Sequence, residues 1–176
     1  MSSFTPRLTV PANNDPNYTR PSYGGYNNCI PGNPEAWPGS VLANCVGEVH
    51  GRWWEILGRD PGLCPYDAKY FWTYTSDGYS RGSEPRLGAI ICFTSSGQGH
   101  VAVVEQVPDP DTVITSNSAY GQTIFYTQTL RRANGWTWNS AFTFQGFIYL
   151  PGGVMNAELL AAFIKRRRKG RRKKLL

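Results

Sequence analysis

Hydrophobic residues change their spacing near the middle of the chain. Between residues 44 and 58 they recur three and four positions apart, which is the repeat of one helix face. The residues concerned are Val46, Val49, Trp53 and Ile56. Asn44 is a favourable N-cap, and Gly58 is a residue type that commonly ends helices. The pattern therefore predicts one helix between them, and a second, shorter helix from Pro65 to Tyr74.

From residue 86 onward the pattern changes to short runs of β-branched and aromatic residues, bounded by Gly, Pro, Asp and Ser. The runs lie at 86–94, 99–107, 112–118, 123–131 and 144–151. Helices first and strands afterwards are typical of the α+β class rather than of a doubly wound fold. We therefore predict an N-terminal helix packed on a mostly antiparallel sheet of about five strands.

The composition divides the chain into three segments. Residues 1–22 are predicted to be an extended arm, because the first forty positions are rich in Pro, Asn, Gly and Tyr. Residues 23–150 hold the predicted helices and strands and form the predicted domain. Residues 151–176 are predicted to form an amphipathic helix that continues into a basic tail. The apolar stripe of that helix is Leu159, Leu160, Phe163 and Ile164.

Basic residues are concentrated in this tail. Nine of the 18 Lys and Arg side chains lie between Lys165 and Lys174, and residues 1–164 carry nine basic and twelve acidic side chains, a net charge of −3. The body and the tail are therefore expected to have different partners. Three interpretations of the tail stay open: it binds anionic wall polymer or a membrane surface, it binds nucleic acid, or it is a solvated end.

Several classes of protein are not expected. No run of 18 apolar residues occurs, so no membrane-spanning helix is predicted, and the first twenty residues do not have the pattern of a Sec-type signal peptide. No CxxC pair occurs and only two histidines are present, so we expect no metal site and no cofactor. Cys29, Cys64 and Cys92 are predicted to be packing residues, with two disulfides among the four cysteines as the alternative.

Cys45 directly follows the predicted N-cap of the first helix. A helix N-terminus carries about +0.5 charge and free N–H groups, which lower the pKa of a thiol from about 8.5 toward roughly 3.5–7.5. The same N–H groups can stabilise the oxyanion of a tetrahedral intermediate. Cys45 is therefore a candidate nucleophile, and an ordinary buried thiol is the alternative.

A nucleophilic thiol needs a base, and two histidines are available. His50 is five residues after Cys45 and points to another side of the helix, so we interpret it as a structural or surface residue. His100 opens the second strand run and is the better candidate. A hairpin with its loop at residues 108–111 would place Ala102 opposite Asn117, making His100 and Asn117 diagonal neighbours roughly 7–8 Å apart. A one-residue change in that loop would put them on opposite faces of the sheet.

Four motifs in this order resemble the CHAP family, the cysteine- and histidine-dependent amidohydrolases and peptidases. They are "NCVGEVHGR", "PRLG", "GHVAVVE" and "SNSAYG". The resemblance covers about residues 23–150 and implies a papain-like fold, in which a helix presents the cysteine to a sheet that bears the histidine. NlpC-type peptidases are the alternative among enzymes, but their cysteine usually lies in an Asp-Cys-Ser context, unlike Asn44-Cys45-Val46.

Carried over by residue, the resemblance implies Cys45 as nucleophile, His100 as general base and Asn117 as the residue that orients the imidazole. Asn44 is a candidate for the oxyanion hole. The chain departs from the common pattern at Gly88-Ala89, where many members have Gly-Asp, and at Ala119, where many have a second Asn. The acidic calcium loop of some phage members is not evident, so no calcium is carried over.

The resemblance implies a peptidoglycan hydrolase, an amidase or endopeptidase that cuts amide bonds of the bacterial cell wall. We expect a phage endolysin or a virion-associated lysin, made in the host cytoplasm and acting at the wall after release with a holin or from the particle. Other phage virion or tail proteins are then possible partners. Tyr120 and Trp136 are candidate residues of the substrate groove, with simple packing as the alternative. Two other functions stay open: a virion structural protein with an inactive hydrolase fold, and a nucleic-acid-binding accessory protein.

Overall fold

The computed structural model describes residues 4–19 and 40–152. Within these ranges the chain forms two α-helices, three short 3₁₀ turns and six strands. The helices and strands are α1 (Pro16–Thr19), α2 (Cys45–Leu57), β1 (Arg81–Gly82), β2 (Ile90–Thr94), β3 (His100–Asp109), β4 (Thr112–Asn117), β5 (Tyr126–Arg131) and β6 (Thr143–Ile148). The 3₁₀ turns are Ala68–Tyr70, Thr75–Asp77 and Arg132–Asn134.

The strands form one sheet in the order β1-β6-β2-β3-β4-β5, and every neighbouring pair is antiparallel. The predicted α+β class with a mostly antiparallel sheet is confirmed. The additional strand is β1, where Arg81 pairs with Ile148 at the sheet edge. Two residues are too few to produce a hydrophobic run, so no sequence pattern announces this strand.

Helix α2 begins and ends where its capping residues predict. The side-chain oxygen of Asn44 accepts hydrogen bonds from the backbone N–H groups of Val46, at 2.8 Å, and Gly47, at 3.3 Å. Gly58 adopts the left-handed conformation, with φ of 67°, and its N–H bonds to the carbonyl of Trp54. Both ends of the helix therefore have partners for groups that would otherwise be unsatisfied.

The second predicted helix, Pro65–Tyr74, is wrong. Only the 3₁₀ turn Ala68–Tyr70 forms there. The guanidinium group of Arg81 donates hydrogen bonds to the carbonyl oxygens of Phe71, Trp72 and Tyr74. These carbonyls are thus satisfied by a side chain from β1, so the segment gains less from continuing as a helix.

Apolar side chains pack on both faces of the sheet. On one face, α2 covers a core that includes Val49, Trp53, Cys92 and Val101. On the other face, a second core includes Phe93 and its neighbours from β3, β4 and β6. Because β2 alternates between these two cores, both of its faces are buried, which explains its continuously apolar sequence.

Residues 4–19 lie against α2 and the sheet rather than apart from them. The backbone N–H of Arg7 donates to Glu105 on β3, and the Arg7 side chain pairs with Glu48 on α2. Tyr18 in α1 is fully buried. The remainder of the predicted arm and the predicted C-terminal helix with its basic tail lie outside the described residues. No helix within the described ranges is both long and apolar enough to span a membrane.

Candidate active site

Cys45 is the first residue of α2 and is a free, partly buried thiol. It packs against the core between α2 and the sheet. The backbone N–H of Val101, the residue after His100, points to its sulfur, as does the N–H of Val46. The start of α2 therefore lies next to the start of β3, which brings the motif with Cys45 close to the motif with His100.

His100 and Asn117 form a hydrogen bond, with 3.1 Å between Nε2 and Oδ1. The Asn117 amide is held in one orientation, because its Nδ2 donates to the carbonyl oxygen of Thr115 at 3.1 Å and to Thr115 Oγ1 at 2.9 Å. Its oxygen consequently faces the imidazole and accepts the Nε2 proton. This tautomer leaves Nδ1 of His100 as the unprotonated nitrogen, which is the form that a general base requires.

The predicted hairpin was right at the site and wrong at its turn. Val103 lies opposite Ser116, and Val104 lies opposite Thr115, as the predicted register has them. At the tip, however, Asp109 pairs with Thr112, so the loop is shorter than the predicted loop of 108–111. Two irregularities in β3, between Val104 and Gln106 and between Gln106 and Asp109, absorb the difference.

Burial sets the protonation of both groups. It raises the pKa of the Cys45 thiol to about 11, although N–H groups of Val101 and Val46 favour the thiolate. The expected lowering by the helix N-terminus is therefore outweighed. Burial also lowers the pKa of His100, and the bond to Asn117 offsets part of that change. At neutral pH the Cys45 thiol and the His100 imidazole are therefore both uncharged.

Aromatic rings surround His100, and the sequence patterns did not identify them. Trp138 packs edge-on against the imidazole with ring centroids 5.3 Å apart, and Phe93 and Phe142 lie at 6.3 and 6.2 Å. They belong to the second core, on the face of the sheet away from α2. A signal was present, because aromatic residues recur at the even positions 136, 138, 142 and 144. These rings limit the motion of the imidazole and exclude water from one of its sides.

Asn44 is bonded in a way that fixes the helix start. Its side chain caps α2, and its backbone N–H donates to Ser118 Oγ at 2.9 Å. Ser118 follows Asn117 directly, so one hydrogen bond connects the residue before the thiol to the residue after the carboxamide. The oxyanion role of Asn44 stays a prediction.

The two groove candidates have opposite environments. Tyr120 is 68% exposed, and its neighbour Gly121 donates a hydrogen bond to the carbonyl of Ala43, two residues before Cys45. Tyr120 thus lies close to the helix start and stays a candidate. Trp136 is 2% exposed and packs edge-on against Phe147. The structure gives Trp136 no face for a substrate, and the packing interpretation describes it instead.

The other candidates take structural positions. His50 is buried and donates from Nε2 to the carbonyl oxygen of Cys64 at 3.1 Å, and burial lowers its pKa to about 4. Cys64 and Cys92 are buried free thiols in the core under α2, while Cys29 lies outside the described residues. Within residues 4–19 and 40–152, no three His, Cys, Asp or Glu side chains are grouped so that they could hold a metal ion.

The chain is similar to one known protein family and to a solved structure. Residues 34–119 match the family model of the CHAP domain, a range that includes Cys45, His100 and Asn117. A solved structure of an N-acetylmuramoyl-L-alanine amidase from Staphylococcus aureus resembles the chain with a TM-score of 0.49 and 19% identity, over 68% of this chain. The chain spans about a third, 34%, of that protein's length. The comparison therefore identifies a match to the CHAP domain family in residues 34–119 of this chain.

Proposed function

We propose that this protein hydrolyses amide bonds of bacterial peptidoglycan by a thiol mechanism, as an amidase or endopeptidase. Cys45 is the nucleophile, His100 the general base and Asn117 the residue that orients the imidazole. The observation that carries the proposal is the hydrogen bond between His100 and Asn117, 17 residues apart. The thiol of Cys45 lies at a capped helix start, where the N–H of Val101, the residue after His100, points to its sulfur. A CHAP domain match over the same residues supports it.

Because the Cys45 thiol and the His100 imidazole are both uncharged at rest, proton transfer and attack on the substrate are expected to occur together. His100 removes the proton from Cys45 as the sulfur attacks the carbonyl carbon of the substrate, so a free thiolate does not accumulate beforehand. The C–N bond of the tetrahedral intermediate then breaks, the imidazolium gives its proton to the leaving amine, and an acyl-enzyme remains. His100 next takes a proton from water, which hydrolyses the thioester and regenerates the thiol.

The backbone of α2 contributes to this chemistry. The N–H groups at a helix start are directed at anions, and they are placed to stabilise negative charge that develops on the carbonyl oxygen. The Asn44 side chain accepts from two of these groups, those of Val46 and Gly47. We therefore assign the oxyanion contact to the backbone N–H of Cys45 itself, which is the first residue of the helix.

The test compares the full chain with its Cys45→Ala variant on purified Gram-positive cell walls. We expect the wild-type protein to lower the turbidity of the suspension and the variant to be inactive, with equal thermal unfolding curves as a control for folding. Mass spectrometry of the released fragments then identifies the bond. A free amino terminus on an uncut stem peptide, with a free lactyl carboxyl on the sugar, indicates an amidase. A new amino terminus within the peptide indicates an endopeptidase. Undiminished lysis by the variant would exclude Cys45 as the nucleophile.

We further propose that the protein acts at the wall as a phage lysin, either released with a holin or carried in the virion, where it would contact other phage proteins. The basic segment between Lys165 and Lys174 supports an electrostatic role on anionic wall polymer or membrane. Deletion of residues 165–176 should weaken sedimentation with cell walls. Equal sedimentation of both forms would argue against that role, and retention on DNA by the full chain alone would favour nucleic acid as the tail's partner.

One observation favours a second candidate, a virion structural protein that keeps the fold without activity. The resting thiol is neutral because burial raises its pKa to about 11. A site that has lost its activity would show the same feature. A zymogram with embedded peptidoglycan separates the two candidates, because only the enzyme produces a cleared band.

A further inference from the structure

Three tyrosines form an exposed cluster outside the catalytic groups. Tyr66 is 59% exposed and Tyr70 is 47% exposed, and the third member, Tyr74, is partly exposed. The Tyr66 ring lies edge-on to both of the others, with centroids 6.4 Å from Tyr70 and 6.2 Å from Tyr74. We call Tyr66, Tyr70 and Tyr74 the tyrosine platform. Edge-on packing leaves ring faces open to solvent.

The segment that bears the platform is firmly held. Phe71 and Ala68, which alternate with the tyrosines, are buried in the core beneath α2. The guanidinium group of Arg81 binds the backbone carbonyl of Tyr74, and it forms an ion pair with Asp77 at 2.7 Å. Binding to such a platform costs little ordering entropy, because the rings are already positioned.

The platform borders the candidate active site. The backbone N–H of Lys69 donates to the carbonyl of Gln98, two residues before His100, at 2.8 Å. Burial is the larger cause of the raised pKa of the Cys45 thiol, and Asp67, the residue after Tyr66, contributes to raising it. The segment that bears the exposed rings therefore lies next to the segment that leads into His100.

We propose that the tyrosine platform binds the glycan strand of peptidoglycan and so positions the attached peptide at Cys45. This inference rests on the proposed function. The axial C–H face of a pyranose ring is apolar and matches the exposed face of a tyrosine, while the phenolic hydroxyl is suited to bond sugar hydroxyl and acetamido groups. The 3₁₀ turn carries Lys69, whose ammonium group lies 5.2 Å from the centre of the Tyr70 ring and can attract carboxylates of the stem peptide.

The size of the platform argues against a protein partner. Fully buried tyrosines contribute about 150–250 Å² each, so three of them provide at most about 750 Å². A stable interface buries about 800 Å² on each partner. A sugar chain needs only a few ring contacts, which three tyrosines supply. Flat hydroxylated rings are also less suited to enter a lipid phase than aliphatic side chains.

The test titrates the full chain with chitohexaose, a soluble β-1,4-linked oligomer of N-acetylglucosamine, by isothermal calorimetry. We expect Tyr66→Ala and Tyr70→Ala each to weaken the Kd at least about fivefold, which corresponds to roughly 1 kcal/mol. Tyr66→Phe keeps the ring and should change the Kd less than about twofold. Ser76→Ala, an exposed change on the same segment, is the matched control and should bind like the wild type.

The outcomes separate the platform from the proposed function. Cys45→Ala should abolish wall lysis and leave chitohexaose binding intact. Lysis by the wild type without chitohexaose binding, or binding that Tyr66→Ala and Tyr70→Ala leave unchanged, overturns the platform while the hydrolase stands. Self-association of the full chain that Tyr66→Ala abolishes would overturn it in favour of a second copy. Tyrosine-dependent binding without lysis supports the platform and counts against the hydrolase.

Discussion

Replacing Arg7 by methionine should destabilise the protein strongly, although Arg7 is far from the candidate catalytic groups. Its guanidinium group pairs with Glu48, whose side chain is fully buried, while 12% of the Arg7 side chain is exposed. Glu48 belongs to α2, the helix that presents Cys45. Methionine keeps most of the aliphatic body of arginine, so the change removes mainly the charge and its hydrogen bonds.

The expected magnitude follows from the burial of the carboxylate. Removing one partner of a buried ion pair costs about 3–5 kcal/mol, because the other charge is left without compensation. For a domain of this size, 1 kcal/mol shifts Tm by roughly 2–4 °C. We therefore expect Arg7→Met to lower Tm by about 10 °C at pH 7.

The pH dependence provides an independent check. Burial raises the pKa of Glu48, and Arg7 offsets part of this effect. Without Arg7 the pKa of Glu48 in the folded state rises further above its unfolded value, so the folded state binds more protons than the unfolded state at pH values between the two. Stability of the variant should therefore increase as pH falls toward the unfolded value of about 4.3.

The assay is a double-mutant cycle of Arg7→Met, Glu48→Gln and both changes, followed by urea unfolding with tryptophan fluorescence at pH 7 and pH 5.5. Contacts of Arg7 with Thr9 and Tyr18 are lost in both arms of the cycle and cancel. We expect Glu48→Gln to restore much of the stability lost in Arg7→Met. A coupling free energy below about 0.5 kcal/mol, or an Arg7→Met penalty that does not shrink at pH 5.5, would refute the reasoning.

Three further predictions concern the site and the helix that supports it. Asn117→Ala should lower kcat on cell walls about 100-fold and shift the acidic limb of the pH profile downward, because the bond to Asn117 raises the pKa of His100; an unmoved limb would contradict the orienting role. In the wild type, activity should rise through a pKa below 6.5 and stay level to about pH 10, and a fall near pH 8 or 9 would show that the thiol titrates earlier. Gly47→Ala should cost about 1–3 kcal/mol, since its Cβ would lie 2.0 Å from the carbonyl oxygen of Val41, whereas in the control Gly97→Ala the Cβ would meet only Ser95 Oγ, at an ordinary contact distance of 3.7 Å; equal urea midpoints for the two variants would show that the backbone adjusts without cost.

Local patterns determined the elements that carry the site. Asn44 and Gly58 bound α2 because capping depends on hydrogen bonds within one turn of the helix. The strand runs were recognisable because both faces of β2 and of the first six residues of β3 are buried, and most residues there are apolar. The order of the cysteine, histidine and asparagine motifs was sufficient to indicate the family. All of these signals involve residues close together in the chain.

Contacts between distant residues were decided only by the tertiary structure. The two irregularities in β3 that restore the predicted register have no marker in the sequence, because they depend on how β3 and β4 pair. The burial of Trp136 reflects packing across the sheet. In the segment of the predicted second helix, backbone carbonyls accept hydrogen bonds from the distant side chain of Arg81 instead of from helical N–H groups.

The pKa values of the site and the packing of the N-terminal segment also depend on the tertiary structure rather than on local sequence. A helix start by itself lowers the pKa of a thiol, but the surrounding core raises the pKa of Cys45, and the extent of burial is not encoded near residue 45. The bond from Arg7 to Glu105 spans 98 positions, and no periodicity or motif connects two such residues. The sequence alone determined which residues were available for the chemistry and in which elements they lie. The tertiary structure decided their protonation, their register and their support, because these properties depend on neighbours that the chain brings together only on folding.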